Sequence, residues 1–137
     1  MNADNRRKKE YLMQYRGALQ HEADLNRQLE EVQQQYLLRS QKLDGMPRSG
    51  SVGDLSDYAA RYDELLTELH KAAAKTLALR TDITRRIESM EDETEIALMH
   101  LRYIQGLSFE EVAEQMHISL RGIYYLHGTA LHNFSIF

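Results

Sequence analysis

The chain has no cysteine, no tryptophan and a single proline, and it contains no apolar run approaching the roughly 18 residues of a membrane span. Without thiols there is no disulfide framework and no thiolate metal site. The opening MNADNRRKKEY lacks the apolar stretch of a secretion signal, so the expectation is one soluble cytoplasmic protein of 137 residues with no membrane partner. Cations are scarce at the C-terminal end. Residues 91–137 hold two Lys and Arg against seven Asp and Glu, whereas residues 1–90 hold fifteen against fourteen.

Glycine is almost as rare as proline outside one short stretch. DGMPRSGSVGD (44–54) holds Pro47 and three of the seven glycines, and the sequence on either side reads as uninterrupted helix. Over residues 4–43, Tyr11, Tyr15, Ala18, Glu22, Leu25, Leu29, Val32 and Tyr36 recur at alternating four- and three-residue steps. This is a heptad seam with one polar interruption, Glu22. Over residues 55–90 a second stripe runs through Tyr58, Tyr62, Leu65, Leu69, Ala72, Thr76, Leu79, Ile83 and either Met90 or Ile87. A loop of residues 44–54 is short enough to fold the two helices back on each other. With the reversal centred near residue 49, facing positions sum to about 98. Tyr36 then opposes Tyr62, Leu29 opposes Leu69, Tyr15 opposes Ile83 and Tyr11 opposes Ile87. The expected architecture is all-α: a long antiparallel helical hairpin, a coiled-coil-like arm of residues 1–90, followed by a helical bundle of residues 91–137. Two bare helices bury little of each other, so dimerisation through the arm or docking of the C-terminal module is needed, and a homo-oligomer through the arm is expected.

The last forty residues carry a more specific pattern. Ser108 and Glu111 form a capping box that starts a short helix with Val112, Ala113 and Met116 on its apolar stripe. His117 occupies a turn position where a left-handed backbone, usually glycine, is needed. Ile118 fills the turn. Ser119 caps a second helix, over residues 119–134, whose Ile123, Leu126, Ala130 and Leu131 share one face. Its outward positions are Leu120, Arg121, Gly122, Tyr124 and Tyr125. Upstream, EDETEIALMHLRYIQG opens with acids suited to a helix start, carries Ile96, Met99, Leu101, Tyr103 and Ile104, and stops at Gly106, which makes it a support helix. Helix, sharp turn and second helix at this spacing form a helix-turn-helix, an arrangement that places its second helix in the DNA major groove.

This segment resembles region 4 of the sigma-70 family of RNA polymerase specificity factors. The whole chain also resembles a family of small phage and prophage regulators of Gram-positive bacteria that carry such a C-terminus behind a long helical N-terminus. The similarity lies in GMPRSGSVGD (45–54), LRYIQGLSFEEVAEQM (101–116) and YYLHGTAL (124–131). The resemblance implies a DNA-binding transcription regulator in a bacterial host cell, with double-stranded DNA and RNA polymerase as partners.

On that reading, Ser119, Leu120, Arg121, Tyr124 and Tyr125 face DNA, and only Arg121 has the fork that grips a guanine edge. Fold-back brings Arg6, Arg7, Lys8 and Lys9 beside Arg85 and Arg86 and next to this acidic module, where they would supply phosphate contacts. In the plainer alternative, Arg85 and Arg86 answer the negative end of their own helix while residues 6–9 fray in water. A second functional reading uses the same observations. Paired tyrosines beside Leu120, with few charges, also describe a protein-contact face. The chain would then be an adaptor for RNA polymerase or another protein, with a helix-turn-helix that no longer binds DNA.

Other chemistries find little support. His100, His117, His127 and His132 do not share metal-ligand spacing with one another or with any HExxH motif, so no metal is expected. Through its place in the LHGTAL part of the resemblance, His127 is left with two roles, a hydrogen bond to backbone of the support helix or a phosphate contact. The glycine-rich 44–54 segment lacks the GxxxxGK[ST] order of a phosphate cradle. No nucleophile, base and orienting group are placed together, so neither catalytic residues, a cofactor nor a small-molecule substrate is expected, and the chain does not read as an enzyme.

Overall fold

The computed structural model describes residues 2–42 and 51–136. Among these, all regular structure is helical, as the composition and periodicity require. Helix α1 spans Ala3–Lys42 and α2 spans Ser51–Glu88. Three shorter helices follow, α3 at Glu93–Met99, α4 at Phe109–Met116 and α5 at Leu120–Asn133. The expected loop is shorter than residues 44–54, because the backbone of 51–54 is already helical. Pro47 and the rest of that segment lie outside the described residues.

The chain forms two compact units. One is made of Leu19–Lys75, and the other joins Met1–Ala18 to Thr76–Phe137. In the first, Leu25, Leu65 and Ala72 are buried, with Leu29, Val32 and Leu69 packed around them. These residues belong to the two stripes read from the sequence, so the antiparallel pairing follows from the heptad seam. At the far end the ring that meets Tyr36 is not the expected one. Tyr36 stacks on Tyr58, with ring centroids 4.2 Å apart, and Tyr62 lies 6.0 Å from Tyr58. The shift from Tyr62 to Tyr58 is one helical turn, which keeps the same face and so leaves no trace in a periodicity argument.

The second unit holds the larger core. Leu12, Tyr15, Ile83 and Ile87 are buried together with Leu98, Met99, Tyr103, Val112, Ile123, Ala130, Leu131 and Phe134. Burial of each large side chain contributes about 1.5–3 kcal/mol. Tyr11 lies between the Phe134 ring, 6.4 Å away between centroids, and the Arg86 guanidinium, 5.6 Å from its own centroid. Asn2 starts α1 by accepting a 2.7 Å bond from the Asn5 backbone N–H. Asp92 does the same for α3, accepting from Glu95 N–H at 2.9 Å.

The support helix is not one regular α-helix. After Met99 it widens into a π-helical turn, His100–Ile104, closed by Gln105 N–H donating to the His100 carbonyl at 2.9 Å. Gly106 then takes φ 76°, the left-handed conformation expected of a helix stop. A β-carbon there would run into the Arg16 guanidinium, which donates to the Ile104 carbonyl at 3.2 Å.

Candidate nucleic-acid interface

The helix-turn-helix is built by local signals that each find their partner. The Ser108 hydroxyl accepts from Glu111 N–H at 3.1 Å, and the Glu111 carboxylate accepts from Ser108 N–H at 3.4 Å. Both halves of the capping box are therefore present. His117 closes α4 at φ 57°, ψ 40° and is the one described non-glycine residue with positive φ. Its backbone N–H and that of Ile118 satisfy the last carbonyls of α4. The Ser119 hydroxyl then accepts from Gly122 N–H at 3.1 Å and starts α5. A β-carbon on Gly122 would come within 2.8 Å of the Ile118 side chain, so a larger residue there would force the turn or that side chain to shift.

Helix α5 turns Ile123, His127, Ala130 and Leu131 inward. Ser119, Leu120, Arg121, Tyr124 and Tyr125 are all exposed, Tyr125 the most at 81% and Tyr124 at 52%. Five of the residues expected on the reading face thus share one exposed surface at the N-terminal half of α5.

Its C-terminal half is covered by the first turns of α1. Asn5 Nδ2 donates to the Gly128 carbonyl at 3.4 Å, and Lys8 Nζ donates to the His132 carbonyl at 2.9 Å while lying 3.3 Å from Asp4. Lys8 is only 8% exposed. Its ammonium sits at the negative end of α5, where it satisfies a carbonyl that has no partner within the helix. Lys8 therefore fastens α5 to α1, in place of the phosphate-facing position expected for it. Arg6 and Arg7, between the two anchoring residues Asn5 and Lys8, are exposed, and Lys9 is half-buried with its charge acting on His127. Counted over this whole unit there are ten Lys and Arg against eleven Asp and Glu. Residues 1–18 and 76–90 together bring the module's local excess of five negative charges down to one.

Arg85 and Arg86 are differently placed. Both bond to Asp82, at 2.7 and 2.9 Å, and Arg86 also stands over Tyr11. The Arg86 bond, with Arg85 beside it, holds the Asp82 carboxyl below its usual range. They also lie in the last turn of α2, where positive charge is favoured. Arg85 remains exposed and Arg86 is half-buried.

Three features of this unit had no signal in local spacing. The Tyr103 hydroxyl and His127 Nε2 are joined by a buried 2.6 Å hydrogen bond. Burial, with the Lys9 and Arg102 charges nearby, pushes His127 down to about 4, and burial pushes Tyr103 up to about 12. Both are thus neutral at pH 7, and His127 bonds a side-chain hydroxyl of the support helix, in place of the backbone bond or phosphate contact expected for it. Phe109 packs against His127 and Tyr124, with centroids 4.9 and 5.2 Å apart, and the Arg102 guanidinium lies 4.2 Å over its ring. Finally, Glu95 is buried and accepts from Asn133 Nδ2 at 2.9 and 3.2 Å, tying α3 to the end of α5. Among the described residues no group of His, Asp and Glu is arranged to hold a metal ion, and no helix is long and apolar enough to cross a membrane.

Comparison with known families decides the class. The family described as ECF sigma factor matches residues 2–127. The chain belongs to the ECF sigma factor family. The match runs through both long helices and α4 and into α5. No curated protein and no solved structure matches the chain. As a sigma-like protein it is a regulator of transcription, associated with DNA and RNA polymerase, and its kind is not enzymatic.

Proposed function

We propose that this ECF sigma family member is a sequence-reading DNA-binding regulator that uses the N-terminal half of α5 as its reading surface. Ser119, Leu120, Arg121, Tyr124 and Tyr125 approach the major groove. Arg6, Arg7 and Lys9 approach flanking phosphates, with Arg85 and Arg86 further along the same end of the helical pair. The observation that carries this reading is the seating of α1 on α5 through Asn5 and Lys8, which delivers cations to a module that is acidic by itself. Phosphate neutralisation supplies most of the sequence-independent affinity of such proteins, and an acidic module lacks it. The finer reading, a phage or prophage regulator of a Gram-positive host, rests on the three segments quoted above. The exposed Leu37, Leu38 and Leu55 of the 19–75 unit support self-association through the hairpin.

The test is a titration of duplexes enriched from a random pool by the full chain, at two salt concentrations. Binding should weaken steeply with salt, and Arg121→Ala should relax preference at one position while leaving the others intact. A flat salt response, or no enriched sequence, would count against DNA reading.

A second reading draws on a separate observation. The outward face of α4 exposes Glu110, Glu111 and Glu114, beside the exposed Leu120, Tyr124 and Tyr125 of α5. Carboxylates are repelled by phosphate and suit a basic protein surface, so the alternative is an adaptor that docks on RNA polymerase without touching DNA. Binding to polymerase that is unaffected by Arg121→Ala, together with no affinity for duplexes at low salt, would favour it.

A further inference from the structure

The two adjacent tyrosines of the reading surface are held very differently. Tyr125 is 81% exposed, and no ring packs against it among the described aromatic contacts. Tyr124, at 52%, leans its ring on Phe109 at 5.2 Å and 60°, a tilted geometry favoured by aromatic quadrupoles. Phe109 is itself fixed on two other sides. His127 meets it nearly edge-on, and is locked by its bond to Tyr103. Arg102 covers its face, and that guanidinium is anchored by donating to the Leu107 carbonyl at 2.9 Å. A chain of contacts thus runs from the buried Tyr103, through His127 and Phe109, to a half-exposed ring on the reading helix.

We infer that Tyr124 is the specificity-determining tyrosine, taking a thymine C5-methyl in the major groove against its fixed ring, and that Phe109 is the positioning residue that holds it there. The inference rests on the DNA-reading assignment above. An apolar methyl is the base feature that a ring edge can select, since the phenol carries one polar atom and the rest of its exposed surface is carbon. A rotamer fixed before binding loses no freedom on contact, so Tyr124 discriminates where the free Tyr125 does not. Tyr125, with its hydroxyl free to swing, is left to hydrogen-bond a phosphate.

The experiment replaces each thymine of an enriched duplex in turn by deoxyuracil, which removes the methyl alone. For the wild-type chain one position should lose on the order of fourfold in affinity, the worth of one buried methyl. Tyr124→Ala should abolish that sensitivity, Phe109→Leu should reduce it without changing the salt dependence, and Tyr125→Ala should keep it. Methyl sensitivity is a ratio between two duplexes, so a general loss of folded protein does not alter it. Tyr124→Ala changes an exposed side chain and remains informative if Phe109→Leu folds poorly. Sensitivity that persists in Tyr124→Ala, or that disappears instead in Tyr125→Ala, would overturn the inference. So would a wild-type chain indifferent to every methyl, and if that chain still shows Arg121-dependent preference then DNA reading stands while this assignment falls.

Discussion

At the scale of single residues, two backbone positions and one buried histidine make the clearest predictions. His117 holds a left-handed conformation that costs an L-residue about 1 kcal/mol or more. His117→Gly should therefore raise stability by roughly 0.5–1 kcal/mol, seen as a higher urea midpoint at unchanged slope. Gly106 is the reverse case. Its φ of 76° strains any residue with a β-carbon, and the Arg16 guanidinium would have to swing off the Ile104 carbonyl, so Gly106→Ala should destabilise by about 1–3 kcal/mol in the same assay.

His127 links stability to pH. In the unfolded chain it takes a proton near pH 6.5, but in the folded chain only near 4, because burial and the Lys9 and Arg102 charges oppose the cation. Between those values the unfolded state binds the extra proton. The contribution of neutral His127 is complete above about pH 6.5 and shrinks as pH falls towards 4, with a ceiling on the order of 3 kcal/mol. Urea unfolding at pH 7 and pH 4.5 should show this loss in the wild type and less of it in His127→Gln. An equal loss in both chains would show that His127 is not its source.

At the scale of elements, the helix boundaries were the most legible part of the sequence. Caps and stops depend on residues three or four apart, and Ser108 with Glu111, Ser119, Gly106 and the left-handed His117 all appear in the structure as their spacing required. Ser108→Ala should cost about 1 kcal/mol. What was not legible depends on distance along the chain. The Lys8 bond to His132 spans 124 residues, Asn5 to Gly128 spans 123 and Arg16 to Ile104 spans 88. No local pattern encodes such pairings, and a lysine in a run of four cations reads as solvated until a helix end is found beneath it. The π-helical turn is illegible for a related reason, since LRYIQG has the same apolar stripe whether it winds with four or five residues between hydrogen-bonded groups. Tyr36 meets Tyr58, one turn from the expected Tyr62, a change that heptad positions do not sense.

At the scale of the whole molecule, the compact unit that holds the helix-turn-helix draws on both ends of the chain. Residues 1–18 and 76–90 contribute Leu12, Tyr15, Ile83 and Ile87 to its buried set. A fragment of residues 91–137 would lose those partners and the Asn5 and Lys8 anchors on α5. It should lack a cooperative melting transition and show collapsed amide dispersion by NMR, whereas a well-dispersed fragment would show that the module folds without the hairpin. Of the proposed reading surface, Ser119, Leu120, Arg121, Tyr124 and Tyr125 were recoverable from the apolar stripe of α5. The basic cluster was recoverable only as a group, because which cation is buried depends on how α1 lies on α5.

On the proposed function the first turns of α1 divide their labour, with Lys8 fastening α5 and Arg6 and Arg7 neutralising phosphates. The most direct measurement is the slope of log affinity for an enriched duplex against log salt concentration, in wild type, Lys8→Met and an Arg6→Gln, Arg7→Gln double variant. The double variant should flatten the slope by about two. Lys8→Met should leave the slope unchanged while lowering the melting temperature. A slope that is unaltered in the double variant, or that flattens in Lys8→Met, would contradict the account.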